Sequence, residues 1–348
     1  MNLNQIKSIL SKTTTIKIYE NYPLNRHTSL GVGGNADLFC IPQTQDDLIK
    51  IYRTSQKENI PVFILGDGTN ILISDKGIRG ITIKNNIENI KFERKYKGQI
   101  YDDKNTRKQE THFKKGFIKF NDLDYNDRTT QKHLYKISSG TNLQKLILQT
   151  IKNNSVGLQW FSRIPGTIGG AVYNNIHGAN RLFSEYIEKV KYIDNYGEVI
   201  TLSHNELNFG YNQSIFQKIN GCILEVELGL YEGNSQKALY TYNEWKKRKS
   251  IQPFNSAGST FSNITEEERD KAGLKNLSAG YIIDAKLNLK GYKIGGAKIY
   301  ENHANFIVTD NTAKAKDVYD LIKLVQQKAK EELDIKLKPE IFLIGEFK

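Results

Sequence analysis

The stretch Val62-Phe63-Ile64-Leu65-Gly66-Asp67-Gly68-Thr69-Asn70-Ile71-Leu72-Ile73 is the natural starting point for reading the fold. Two apolar runs flank a five-residue turn, so the pattern reads strand, tight loop, strand. Glycines at alternate positions let backbone N–H groups converge on an anion, while Thr69 and Asn70 add a hydroxyl and an amide. Read alone, such a loop is a diphosphate cradle or a plain hairpin turn. It is not a Walker loop, because no Gly-Lys-Ser/Thr ending is present, and no helical pattern follows it as a Rossmann turn requires.

Outward from this loop, short β-branched segments recur at 31–41, 62–65, 71–73 and 78–83. Residues 43–58 carry Leu48, Ile51 and Tyr52 at helical spacing, with Pro61 opening the next strand. From Lys91 to His133 charge is dense and periodicity is lost, which reads as an inserted, partly disordered, low-complexity excursion. Order returns at Tyr135–Ser138, and residues 141–153 place Leu143, Leu146, Ile147 and Thr150 on one helical face. Strand-like runs follow at 190–192, 199–202 and 222–230, then a Lys-rich helix around Trp245. A helix over 315–333 shows the stripe Val318, Leu321, Ile322, Val325 and Ala329, and a last strand is expected at 341–344. Strands and helices mix without strict βαβ alternation, so the class expected is α+β.

The sequence has 348 residues, long enough for two or three domains, and a formal net charge of +12. The densest basic cluster, Lys246–Lys249, is short and Lys is spread throughout, so a nucleic-acid partner is not expected; an anionic small substrate also suits a basic cleft. Cys40 and Cys222 match no metal or redox spacing, and no metal is expected. No apolar run approaches a membrane span and the start shows no leader pattern, so membrane insertion is not expected and a cytoplasmic location is. A monomer is expected.

Three further segments carry candidate chemistry. Arg163-Ile164-Pro165-Gly166-Thr167-Ile168-Gly169-Gly170-Ala171-Val172 combines a Pro-Gly turn with three glycines in five residues, either a ligand-approached loop or tight packing. Ser256-Ala257-Gly258-Ser259-Thr260-Phe261-Ser262-Asn263 sets a hydroxyl among small residues without the Gly-x-Ser-x-Gly elbow or a triad order. Glu340 follows Pro339 at a strand start, where it is an acid, an orienting base or a solvated carboxylate.

Taken in order, HTS at 27–29, GVGG at 31–34, GDGTN at 66–70, RIPGTIGGAV at 163–172, FGYNQSIF at 209–216, SAGSTFSN at 256–263, LKGYKIGGA at 289–297, HANFIV at 303–308 and KPEIFLIGEF at 338–347 resemble the UDP-N-acetylenolpyruvoylglucosamine reductase family across nearly the whole chain except 91–133. The short connection from FGYNQSIF to SAGS resembles its type II subclass. The resemblance implies an FAD-binding PCMH-type region of the vanillyl-alcohol-oxidase kind, in two lobes over 1–230, and a C-terminal α+β substrate-binding domain over 231–348. It implies NADPH-linked, FAD-dependent reduction of an enolpyruvyl sugar nucleotide to UDP-N-acetylmuramate, in peptidoglycan precursor synthesis. Two alternatives stay open: a catalytically weakened flavin-binding homologue, and a flavin oxidase on the same fold.

By motif match, FAD contacts fall on Gly66, Asp67, Gly68, Thr69, Asn70, Ile164, Pro165, Gly166, Thr167, Gly169 and Gly170. Ser259 is implied as the proton donor, Glu340 as a catalytic carboxyl, and Tyr211 and Asn263 as substrate contacts. The chain departs from the pattern at Asn212, where the family has Arg, and at Arg163, where Gly is usual; Arg163 is the candidate to supply the missing charge. Phe342 stands where an Arg is frequent.

Overall fold

The computed structural model describes residues 3–101, 111–113, 116–118, 122–123 and 125–347. Its first sheet runs Tyr19–Pro23, Asn35–Cys40, Ile78–Lys84, Val62–Leu65, the first pair antiparallel and the rest parallel. Helix Gln45–Lys57 makes the crossover to Val62–Leu65. Its start is set by Thr44, whose side-chain oxygen accepts the Asp47 N–H at 3.1 Å, with Asp46 and Asp47 at the positive end of the helix dipole. Leu48, Ile51 and Tyr52 then bury one face in a core shared with Leu38, Ile81 and Ile83. Cys40 and Cys222 lie in this core as free thiols, each pushed up to about 12 by burial. The strand Ile71–Ile73 leaves the sheet and pairs in parallel with Phe342–Ile344 near the C-terminus.

The second sheet is antiparallel, in the order Val199–Ser203, Ile187–Asp194, Gly221–Glu232, Gln131–Ser138, Ile90–Lys97. This corrects the expectation for 91–133 at both ends. Lys97 pairs with Gln131 and Ile90 with Ile137, so the excursion springs from a strand pair rather than from loop. Ile90–Lys97 is the outermost strand and has no fully buried residue, so its Lys, Arg and Glu side chains reach solvent and no apolar alternation marks it in sequence. Residues 102–110, 114–115, 119–121 and 124 of that stretch lie outside the described residues. Beyond them Leu123 packs with Trp160 and Trp245, Arg128 meets Glu185 at 2.6 Å, and Asp127 meets Arg181 at 3.4 Å in buried ion pairs.

Helix Ser235–Arg248 returns Ala238 and Tyr242 to the core of the second sheet. We therefore place the division of the chain near residue 250, rather than at 230/231. Past it, helix Ala315–Leu333 buries Val318, Leu321, Ile322, Val325 and Ala329, and a three-stranded antiparallel meander (Lys293–Ile294, Ala297–Ile299, Ile307–Thr309) packs on it. Each such Leu or Ile stabilises by about 1.5–3 kcal/mol when fully buried. Leu30, Val32 and Leu72 join this core from the N-terminal lobe, and Asp75 accepts the Ala315 and Lys316 N–H groups at 2.9 Å each. The C-terminal unit is thereby seated on the loop-bearing region. Among the described residues no helix is long and apolar enough to cross a membrane.

Candidate active site

The two glycine loops meet. Thr69 Oγ1 donates to the Pro165 carbonyl at 3.3 Å, and an added Cβ on Gly66 would lie 2.9 Å from Thr167 Oγ1. On Gly166, at φ +130°, the added atom would lie 3.3 Å from Thr69 Oγ1. Gly68 is held from behind, its carbonyl accepting the Ser29 N–H at 3.1 Å, and a Cβ there would collide with the His27 carbonyl oxygen. This accounts for HTS at 27–29: the segment backs the loop and requires a glycine facing it.

Among the described residues the backbone N–H groups of Asp67, Gly68, Thr69, Asn70, Gly166 and Thr167 donate to no protein group. Unpaired amides on two touching loops are the donor set of an anion nest, and they fit the diphosphate of a dinucleotide. In the second loop Thr167 caps a short helix, Ile168–Tyr173, which the glycine-rich sequence hid, its Oγ1 accepting the Gly170 N–H at 3.3 Å. Sequence reading also missed Lys84. Its buried ammonium donates to the Gly66 carbonyl at 2.6 Å and meets Asp67 at 3.1 Å, because strand pairing sets it opposite Leu65, the residue before the loop.

Asn70 ties this cradle to the C-terminal unit. Its carbonyl accepts the Phe342 N–H at 3.0 Å, and its amide donates to the Glu340 carbonyl at 3.4 Å. The Glu340 N–H in turn donates to the Thr260 carbonyl at 2.9 Å, and Phe261 bridges Pro339 in antiparallel register. SAGSTFSN and KPEI therefore run side by side, with Ser259 one residue from the carbonyl that Glu340 holds. Asn305 locks the first of these segments, its side-chain oxygen accepting the Phe261 N–H at 3.0 Å and its amide donating to the Phe261 carbonyl at 2.8 Å.

The side chain of Glu340 reaches a third segment, where Asn212 Nδ2 donates to its Oε1 at 2.6 Å. Burial pushes the Glu340 carboxyl up to about 7, opposed by its hydrogen bonds to Ser262 and Asn212. Tyr211, whose hydroxyl is pushed upward by burial and by the charge of Glu340, completes this rim.

The model of the C-terminal domain of UDP-N-acetylenolpyruvoylglucosamine reductase matches residues 250–344, and an FAD binding domain model matches 117–203. The chain is 31% identical over 348 residues to the UDP-N-acetylenolpyruvoylglucosamine reductase of Caldanaerobacter subterraneus subsp. tengcongensis, covering 99% of this chain and 98% of that protein. The chain belongs to the UDP-N-acetylenolpyruvoylglucosamine reductase family. The Bacillus pumilus reductase is likewise 31% identical, covering 99% of both chains. The crystal structure of the Thermus caldophilus reductase superposes with a TM-score of 0.68 at 26% identity, over 95% of this chain and 99% of that one. The fold is that of the reductase family: an FAD-binding region of PCMH type in two lobes and a C-terminal α+β domain.

Within this family frame the remaining candidates separate. Arg163 does not turn to Asn212. Its guanidinium donates to the Gln252 carbonyl at 2.9 Å and to that of Ser250 at 3.4 Å, and it lies 4.3 Å from the Phe254 ring centroid. The cause is local: at φ +63° the backbone follows the left-handed path that a glycine takes freely, and it aims the side chain at the 250–254 segment. Asn263 Oδ1 accepts the Ala279 N–H at 3.2 Å. Phe342 packs edge-on against Tyr173, with ring centroids 5.5 Å apart. Lys249 belongs to the short basic cluster 246–249 noted in the sequence. It is buried, donates to the Ser162 carbonyl at 3.1 Å, and is lowered to about 7 by burial and by the charge of Arg163.

Proposed function

We propose that this chain reduces UDP-N-acetylglucosamine enolpyruvate to UDP-N-acetylmuramate with NADPH as electron donor. The observation that carries this reading is the single hydrogen-bonded path from the cradle amides through Asn70 to Glu340 and on to Asn212, with the Ser259 segment alongside. FAD held by the two loops supplies a two-electron carrier between NADPH and the sugar nucleotide.

The amides of 67–70 and 166–167 hold the diphosphate, and the glycines leave room for close backbone approach. As hydride reaches the enolpyruvyl carbon, negative charge spreads toward the substrate carboxylate. The Asn212 amide and a protonated Glu340 stand at that end as hydrogen-bond donors. Ser259 gives its hydroxyl proton to the adjacent carbon and regains one from solvent. With its carboxyl near 7, Glu340 is protonated in a large fraction of molecules at neutral pH, the form that donates to a carboxylate without adding repulsion. Tyr211 and Asn263 bind the sugar nucleotide, and Lys84 adds positive charge beside the diphosphate loop.

The test is NADPH oxidation by the purified holoenzyme with and without the enolpyruvyl sugar nucleotide. Oxidation that depends on the sugar nucleotide is expected. An equal rate without it, with electrons passing to oxygen, would make the chain an oxidase and overturn the proposal.

A further inference from the structure

Asn212 occupies a two-residue turn in which Gly210 and Gln213 exchange backbone hydrogen bonds at 3.1 Å each. Its φ of +52° is a conformation that Asn tolerates better than most side chains. A short hairpin, His177–Gly178 paired with Arg181–Leu182, lies beside the turn. Asn175 fastens the two together, donating through Nδ2 to the Gly210 carbonyl at 2.8 Å while its Oδ1 accepts the Ser184 N–H at 2.8 Å. His177 Nδ1 lies 3.1 Å from Asn212 Oδ1, and His177 Nε2 lies 3.3 Å from the Tyr211 hydroxyl.

With Glu340 ionised, the donor and acceptor directions in this chain close in one way. Glu340 Oε1 requires a donor in its ionised form, so the NH2 end of Asn212 faces it at 2.6 Å. The reverse orientation would press two acceptors together at that distance, and the same direction holds in the acid when its proton sits on Oε2, the oxygen left free to donate to substrate. Asn212 Oδ1 then needs a donor, which makes His177 the Nδ1–H tautomer, and its bare Nε2 accepts the Tyr211 O–H. Burial holds the imidazole below its ordinary range, so the ring is neutral and carries the one proton this arrangement uses.

We infer that His177 is a positioning residue for the sugar-nucleotide half of the reaction: its Nδ1–H fixes the Asn212 amide with the N–H face toward Glu340, and its Nε2 anchors the Tyr211 hydroxyl. The inference deepens the proposed reductase activity and rests on it. His177 touches neither reacting atom; it acts by keeping the amide from flipping, a preorganisation that an exposed asparagine on a turn lacks.

Two substitutions of similar size separate the roles of the two ring nitrogens. His177→Asn places an amide N–H where Nδ1 stands and keeps the donor to Asn212. His177→Gln reaches the Nε2 position and loses that donor. In holoenzyme first reduced by NADPH and then mixed rapidly with the enolpyruvyl sugar nucleotide, His177→Gln is expected to slow flavin re-oxidation by about 3–10-fold, the scale of one net hydrogen bond. At saturating sugar nucleotide His177→Asn is expected within about twofold of the unmodified protein, its lost Tyr211 anchor showing only as weaker sugar-nucleotide binding, and reduction by NADPH unchanged in both. In an Asn212→Ala background His177→Gln should add no further loss, because the two act as one unit. Equal slowing by the two His177 variants, or full additivity with Asn212→Ala, would overturn the inference.

The tautomer is read independently of turnover from the imidazole nitrogen resonances of the 15N-histidine-labelled protein. Nδ1–H is expected, and Nε2–H would contradict the assignment even if a variant fails to fold. Absence of re-oxidation in the unmodified holoenzyme would instead sink the reductase reading, and this inference with it.

Discussion

The proposed cofactor cradle and the proposed catalytic rim are built from different materials. The cradle is backbone: amides of 67–70 and 166–167 on touching loops, kept close by glycines at 66, 68 and 166. The rim is side chain: Glu340, the adjacent Tyr211 and Asn212, and His177 come from three segments far apart in sequence and meet through hydrogen bonds and a His177–Tyr211 ring contact. A backbone site is fixed by which positions lack a Cβ, so its sequence is constrained locally. A side-chain site is fixed by partnership, so one member can change if a neighbour changes with it. Asn212 and His177 are joined by such a partnership, 3.1 Å apart.

This contrast breaks most readily at Gly68. A Val there would strike the His27 carbonyl and strain a φ of +62°, and the expected outcome is protein that retains no flavin after purification. Bound flavin in normal amount would show that the cradle does not depend on close backbone approach.

On the rim the largest effect is expected from Ser259→Ala. Re-oxidation of reduced flavin by the sugar nucleotide should fall by about 10²-fold or more, the usual scale for a proton-transfer group, while NADPH reduction survives. Equal slowing of both half-reactions would make Ser259 a structural residue.

The cradle was legible because its signal is local. Gly-Asp-Gly-Thr-Asn and Pro-Gly-Thr-Ile-Gly-Gly can be found without knowing what folds beside them. Helices 45–57, 143–152 and 315–333 were equally plain from their apolar stripes, each with a matching buried face. Less was visible where pairing decides the outcome. The edge strand Ile90–Lys97 has no buried face to show, and Lys84 acquires its place under the loop only through register with Leu65. Lys249 reads as one more member of a basic run until the fold buries it. Arg163, standing where the family has Gly, was the candidate for the charge missing at Asn212; its left-handed backbone sends it to the Gln252 carbonyl instead. His177 gave no sequence signal because its partners lie 34 and 35 residues away.

The pH profile sharpens the account of Glu340. Its folded value, about 7, lies above the ordinary 4.5, so folding favours proton uptake between those limits. Its contribution to stability is complete below about 4.5 and lost as pH rises through about 7. Because the protonated form is the donor, re-oxidation by the sugar nucleotide should decline above about 7 by roughly tenfold per pH unit. Glu340→Gln should flatten that limb; an unchanged profile would remove Glu340 from the proton inventory.

The smallest effect is expected at Arg163. Replacement by Gly relieves a left-handed residue, a gain of about 1 kcal/mol, against the loss of its carbonyl contacts and the Phe254 ring. Thermal stability should shift by only a few degrees and turnover by less than about twofold. A collapse of turnover with stability intact would restore Arg163 as a charge acting on substrate.

An anaerobic titration followed by visible absorbance addresses the shared cradle and rim most directly. Purified protein should carry flavin colour that bleaches with NADPH and returns in proportion to added enolpyruvyl sugar nucleotide. Colourless protein that refuses added FAD, or bleached flavin that the sugar nucleotide leaves unchanged, would contradict a cradle and rim closed around one dinucleotide.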